Sequence, residues 1–263
     1  MRPKKSLGQN FLINKGAARR IAQLVLETNP KQILEIGGGR GDLTNELLQM
    51  GSLLNVVEID RALAEKLRLK FSDQDNFKLI EQDILNVDPE HDLNCDTATL
   101  VGNIPYNITS PILEWLVQHR DFFPYAILMM QREVAERVCA VPGGKQFGSL
   151  TVFVQLFYEC QREFTLKPGS FFPPPKVSSA VIRLSRLEKP LIKDSEYGAL
   201  RRLTSACFRW RRKQLSRILR DEYSLGINEI ADLLAGLHLD LRMRPEQLHP
   251  GDFVRLSREI ARL

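Results

Sequence analysis

The 263-residue sequence has little cysteine and little histidine, four of each. The cysteines stand at 95, 139, 160 and 207, and none forms a C-x-x-C pair. That excludes the common zinc and thioredoxin-like motifs, so no metal is expected. The histidines are scattered too. Reduced, buried thiols in a reducing cytoplasm are the expectation. No apolar run approaches the roughly 18–20 residues that a membrane span needs. The opening MRPKKSLGQNFL is basic but has no apolar core before a cleavage site, unlike a secretory signal. A cytoplasmic location is expected. There is no Walker sequence, no internal repeat and no low-complexity segment.

What is present is an ordinary apolar fraction, 43%, enough for a sizeable core. The length permits one large domain, or a middling one with a small companion. The net charge of +5 and a pI of about 9.1 point to a polyanionic partner such as nucleic acid.

From residue 15 the pattern is helical, with Ala18, Ile21, Leu24 and Val25 on one face. Short apolar runs then alternate with helical stretches. Residues 32–37, 53–60, 77–83, 97–103 and 125–131 read as buried strands, with helices between them. This alternation predicts an α/β fold, a doubly wound parallel sheet with helices on both faces. Residues 151–164 and 178–187 read as later, β-rich pieces at the sheet edge. Near residue 186 the character changes to a linker rich in charge and proline, and everything beyond it reads as helix. The predicted domains are therefore residues 1–186, α/β, and 187–263, helical.

EIGGGRGDLT follows the first of these strands and opens a helix. Gly37, Gly39 and Gly41 let the backbone turn sharply and approach a ligand closely. A dinucleotide fingerprint needs glycine at 42, where this chain has Asp42. Glu58 lies about 20 residues on, at the end of the second strand, where a ribose-binding acid belongs. Asp83 ends the third strand and Asn103 the fourth. In an open α/β sheet the ligand crevice lies beyond those carboxyl ends, so these residues converge on one cleft.

This set resembles the class I S-adenosylmethionine-dependent methyltransferases. The resemblance implies S-adenosylmethionine as cofactor. It gives the Gly37–Gly41 loop the aminoacid end, Glu58 the ribose and Asp83 the adenine amine. NIPYNIT, Asn103 to Thr109, resembles the segment of adenine amino-methyltransferases that holds the reacting base. KKSLGQNFL (4–12), LEIGGGRGDLT, NIPYNITSPIL, FFPPPKVSSAVIRL (171–184) and FRWRRKQL (208–215) together look like the rRNA adenine N6,N6-dimethyltransferases of KsgA type. That resemblance runs from residue 4 to the C-terminus. It implies that Asn10 and Leu12 contact the cofactor and that Asn103, Ile104, Pro105 and Tyr106 form the catalytic segment. Tyr106 and Phe171 would grip the flipped base between them, with Pro173–Pro175 holding Phe171 rigid. Ser178–Ser179 stand where the family more often has Asp-Ser.

Arg209, Arg211, Arg212 and Lys213, with Trp210 among them, fit either phosphate contact with stacking or a solvated face. Arg2, Lys4 and Lys5 add to the same field. The expected function is twofold methylation of the N6 of two neighbouring adenines near the 3′ end of 16S rRNA in the small ribosomal subunit. Two alternatives stay open: an Erm-type enzyme acting on large-subunit rRNA, and a ribosome-assembly or transcription factor on the same fold. A monomer is expected.

Overall fold

The computed structural model describes Lys4 and residues 7–263, so Arg2 and Lys5 lie outside the described residues. The N-terminal half alternates β1 (Phe11–Leu12), α1 (Lys15–Leu26), β2 (Gln32–Ile36), α2 (Asp42–Leu48), β3 (Leu53–Val57), α3 (Arg61–Lys70) and β4 (Phe77–Ile80). It continues with α4 (Pro89–Asp92), β5 (Thr99–Asn103), α5 (Thr109–Gln118), β6 (Tyr125–Gln131) and α6 (Arg132–Val138). Then come α7 (Ser149–Gln155), β7 (Tyr158–Leu166), β8 (Phe171–Phe172) and β9 (Ser179–Arg186). Helices α8 (Tyr197–Arg209), α9 (Leu215–Tyr223), α10 (Ile227–Gly236) and α11 (Pro250–Ile260) close the chain.

Seven strands form one sheet in the order β4-β3-β2-β5-β6-β9-β7. The first five are parallel, and β9 runs antiparallel to β6. Strands of a parallel sheet are covered on both faces, which is why β5 and β6 read as continuous apolar runs. The caps explain where helices begin. Asn14 accepts from the Ala17 N–H at the start of α1, and Asp60 accepts from Ala62 at the start of α3. Helix α1 buries Ala18, Ile21, Leu24 and Val25, the face its periodicity predicts. Each large apolar side chain so buried contributes about 1.5–3 kcal/mol.

By contacts the chain forms two compact units. One runs to Ala135 and returns for Glu159–Arg186; the other joins Glu136–Tyr158 to Leu187–Leu263. The second unit thus also takes in a segment that the sequence assigns to the first. That segment contains α7, so residues 151–155, expected to be β-rich, are helical. The β-branched residues are decided by burial, not propensity: Thr151, Val152 and Val154 face inward against the helices of that unit. The hydroxyl of Thr151 accepts from the Gly148 N–H and donates to the Arg137 carbonyl, which fixes the turn into the helix. The expected linker after residue 186 is held as well. Leu191 donates its N–H to Leu156, and Ile192 is buried. Helix α9 starts at Leu215, later than its sequence implies, because residues 211–214 form a turn. Of the four cysteines only Cys207 is buried; Cys95, Cys139 and Cys160 are partly exposed.

Candidate functional site

Register decides which side chains meet. Ile36 pairs with Val57 and with Gly102, and Val57 pairs with Ile80. Gly37, Glu58 and Asn103 each stand one residue beyond this row, so the sheet delivers them side by side at its carboxyl edge. A cleft opens there, lined by the segment Leu7–Leu12, the glycine loop, Glu58, Asp83 and residues 103–108. It contains every cofactor-contact residue the sequence singled out except Gly41, which caps α2.

The loop geometry needs its glycines. Gly37, Gly39 and Gly41 have φ of 72°, 55° and 77°, a region most L-residues avoid. At Gly39 a Cβ would also meet the Phe11 ring at 3.1 Å. The Gly39 N–H donates to Oε2 of Glu58 at 3.0 Å, and the Asp60 N–H to Oε1 at 3.0 Å. Glu58 therefore holds the loop in shape while it lines the cleft. Burial pushes its carboxyl above the ordinary value, and these backbone N–H groups hold it back.

Asp83 caps a short 3-10 turn, its Oδ1 accepting from the Leu85 N–H at 3.0 Å. It still lines the cleft, three residues past the end of β4. Asn10 and Leu12 also line the cleft, in the segment that pairs β1 antiparallel to β8. A second carboxylate ties that segment down. Lys4 Nζ donates to Asp60 Oδ1 at 2.9 Å and Gln9 Nε2 to Oδ2 at 3.0 Å. Burial would raise the Asp60 carboxyl, but the bonds from Lys4, Gln9 and the Ala62 N–H outweigh it and hold it below its usual value.

In the NIPYNIT segment the Asn103 Nδ2 donates to the Asn10 carbonyl at 2.8 Å. Only the amide nitrogen can face a carbonyl, so Oδ1 is left as an acceptor. Ile104 is buried and donates its N–H to Met129, which anchors the start of the segment to β6. Pro105 biases Ile104 toward extended geometry. The Tyr106 ring is half-buried, and its hydroxyl bonds the buried Ser179 Oγ at 2.6 Å. Burial raises that hydroxyl, with the Ser179 bond opposing, so it is a neutral phenol at physiological pH. Of the Ser178–Ser179 pair, Ser179 thus supports the tyrosine, while Ser178 accepts the Arg132 N–H through its carbonyl.

Phe171 stands elsewhere than the sequence reading put it. It is 2% exposed, packed in the core with Leu12 and Leu166, and does not line the cleft. In β8 alternate residues face opposite sides, and the inward side falls to Phe171. The neighbouring Phe172 is 46% exposed instead. The Arg40 guanidinium lies between the Phe172 ring, at 5.0 Å, and the Phe11 ring, at 4.9 Å.

Sequence reasoning passed over Glu35. It is 1% exposed in the middle of β2, lines the cleft, and accepts from Thr44 Oγ1 at 2.7 Å. Burial pushes its carboxyl up to about 8. A charged residue inside an otherwise apolar strand was the available signal.

The basic cluster of the helical unit is mostly spoken for. Arg211 bonds Glu246 and the Gly144 carbonyl. Lys213 bonds Asp221 at 3.2 Å and lies 3.9 Å from the Trp210 ring. Arg209 stands 3.7 Å from Glu222, which also accepts from the Trp210 indole. Arg212 is exposed. Among the described residues no three His, Cys, Asp or Glu side chains are grouped to hold a metal, and no helix is long and apolar enough to cross a membrane.

Comparison with known proteins identifies a family. The family model for ribosomal RNA adenine dimethylase matches residues 1–262. A ribosomal RNA small subunit methyltransferase A from Geobacter metallireducens is 37% identical over 100% of this chain and 97% of its own. The crystal structure of a dimethyladenosine transferase from Plasmodium falciparum superposes with a TM-score of 0.82 at 25% identity, covering 96% of this chain and 98% of that one. The 23S rRNA methyltransferase ErmE superposes with a TM-score of 0.76 at 26% identity, covering 96% and 100%.

Proposed function

The chain belongs to the ribosomal RNA adenine dimethylase family and is an enzyme, and from that premise we propose that it dimethylates the N6 of two adjacent adenines near the 3′ end of 16S rRNA in the small ribosomal subunit. The cofactor of this reading is S-adenosylmethionine, which supplies an electrophilic methyl group when bound. The residues present fit it. The glycine loop leaves room for the aminoacid end, Glu58 offers acceptor lone pairs to ribose hydroxyls, and Asp83 keeps Oδ2 for the adenine amine. Asn10 and Leu12, which line the same cleft, would contact the cofactor too.

The observation that carries the proposal is the aim of the Asn103 amide. An adenine N6 lone pair is delocalised into its ring, so the nitrogen is a poor nucleophile. Acceptors around its N–H groups favour a pyramidal nitrogen whose lone pair points at the methyl group. With its Nδ2 committed to Asn10, Asn103 offers Oδ1 as one such acceptor. The Ile104 carbonyl, set by Pro105, is the other. No strong base is required, because a methylated nitrogen cation loses its proton readily. Orientation supplies most of the acceleration, up to roughly 7–11 kcal/mol for well-placed pairs. The Tyr106 ring, fixed through Ser179, supplies one face for the flipped base. Phe171 lies in the core, and the exposed Phe172 is not among the cleft-lining residues either, so neither ring is assigned the other face.

The protein is read as working on small-subunit rRNA in the cytoplasm, as a monomer. Its test is mass mapping of methylated adenines in ribosomes from cells with and without it. Loss of two dimethyladenines near the 3′ end of 16S rRNA is the expected result. Loss from 23S rRNA, or no loss, would sink the proposal.

A further inference from the structure

The helical unit has a groove of its own, about 450 Å³, between α8 and α9. Gly198, Arg201, Arg202, Ser205 and Arg209 line it from α8, one helical face at steps of three and four residues. Tyr223 and Glu222 line it from α9. Three guanidinium charges thus face one carboxylate. Glu222 is already engaged by Arg209 and the Trp210 indole. Arg201 and Arg202 are exposed, with no carboxylate in ion-pair reach among the described residues. The contrast with Arg211 and Lys213, both held by carboxylates, is what singles the groove out.

We propose that this groove binds the phosphodiester backbone of the rRNA substrate, with Arg201 and Arg202 as its contacting cations and Ser205 as a hydroxyl donor. The guanidinium fork matches phosphate oxygens in pairs, and folded RNA is read largely through backbone contacts. From Arg202 to Arg209 the helix rises roughly 10 Å, so the groove spans more than one phosphate contact. A Cβ built at Gly198 would meet nothing within 4 Å, so this end of the face is open. The proposal rests on the rRNA substrate argued above and adds a docking site that the sequence reading placed further along the chain.

The test uses the full chain and small subunits from cells lacking it. Affinity is measured at several potassium chloride concentrations for wild type, the Arg201→Ala/Arg202→Ala pair and the Arg201→Lys/Arg202→Lys pair. Alanine is a strong helix former, so α8 should persist, checked by circular dichroism. The alanine pair should flatten the log–log salt slope by about 1.4–1.8, roughly 0.7–0.9 for each lost phosphate contact. The lysine pair should restore most of it. Parallel slopes for alanine and wild type would overturn the proposal. So would weaker affinity at an unchanged slope, which would assign the groove to a ribosomal protein. A lysine pair as flat as alanine would put the loss in the helix and not the charge, and overturn it too. Docking is read without turnover. A wild type that docked yet methylated nothing would therefore sink the proposed function and leave this result standing.

Discussion

The Asn103 side chain donates to the backbone carbonyl of Asn10 at 2.8 Å, across 93 residues of sequence. One bond therefore joins the NIPYNIT segment to the Leu7–Leu12 segment, both of which line the cleft. It also sets the direction of the amide, since a carbonyl accepts and cannot donate.

The consequence is testable at the chemical step. Asn103→Ala should fold and bind S-adenosylmethionine, while single-turnover methylation of small subunits falls roughly 10²–10³-fold, the usual cost of one preorganised polar group at a reacting centre. Methylation at the wild-type rate would remove Asn103 from the chemistry.

Glu58 shapes the glycine loop, because each oxygen accepts a backbone N–H, and in the proposed function it also meets the cofactor. Glu58→Gln would turn an amide NH₂ toward one of those donors. Cofactor affinity should weaken by about one charge-assisted hydrogen bond, ~1.5–3 kcal/mol, or roughly 10–150-fold. Calorimetric titration with S-adenosylmethionine reads this directly. An unchanged dissociation constant would mean that Glu58 serves the loop alone.

Much of this cleft was legible because local pattern and sheet register carry the same information. Glycine spacing after a strand, and polar residues at or just past the carboxyl ends of neighbouring strands, must meet once the strands pair in parallel. What escaped was set by partners far along the chain. Helix α7 looks like a strand by its β-branched residues, and only packing within its unit makes it a helix. Phe171 and Phe172 are the same residue type, so nothing local says which of the two rings faces the core. Arg211 and Lys213 read as an RNA-facing run, yet their carboxylates lie 35 and 8 residues away. Arg201 and Arg202 carry no sequence signature at all. They stand out only because their neighbours are paired.

The buried Glu35 gives a pH dependence with a definite sign. Desolvation raises its carboxyl to about 8, against an ordinary 4.5, while the Thr44 hydroxyl partly opposes the shift and the nearby Glu58 adds to it. Below about 4.5 the group is protonated whether the chain is folded or not, so its folding contribution is fully present. As pH rises past that value the unfolded chain releases the proton and the folded chain keeps it. Stability therefore falls until about pH 8, where the folded state also ionises. Glu35→Gln retains a side-chain carbonyl for Thr44 and has no proton to lose. Urea unfolding of the cofactor-free protein at pH 5 and pH 8 should show wild type losing more stability than the glutamine variant, by on the order of a few kcal/mol. Equal losses in the two proteins would mean that Glu35 ionises freely inside the fold, and that the cleft is wetter at β2 than its burial implies.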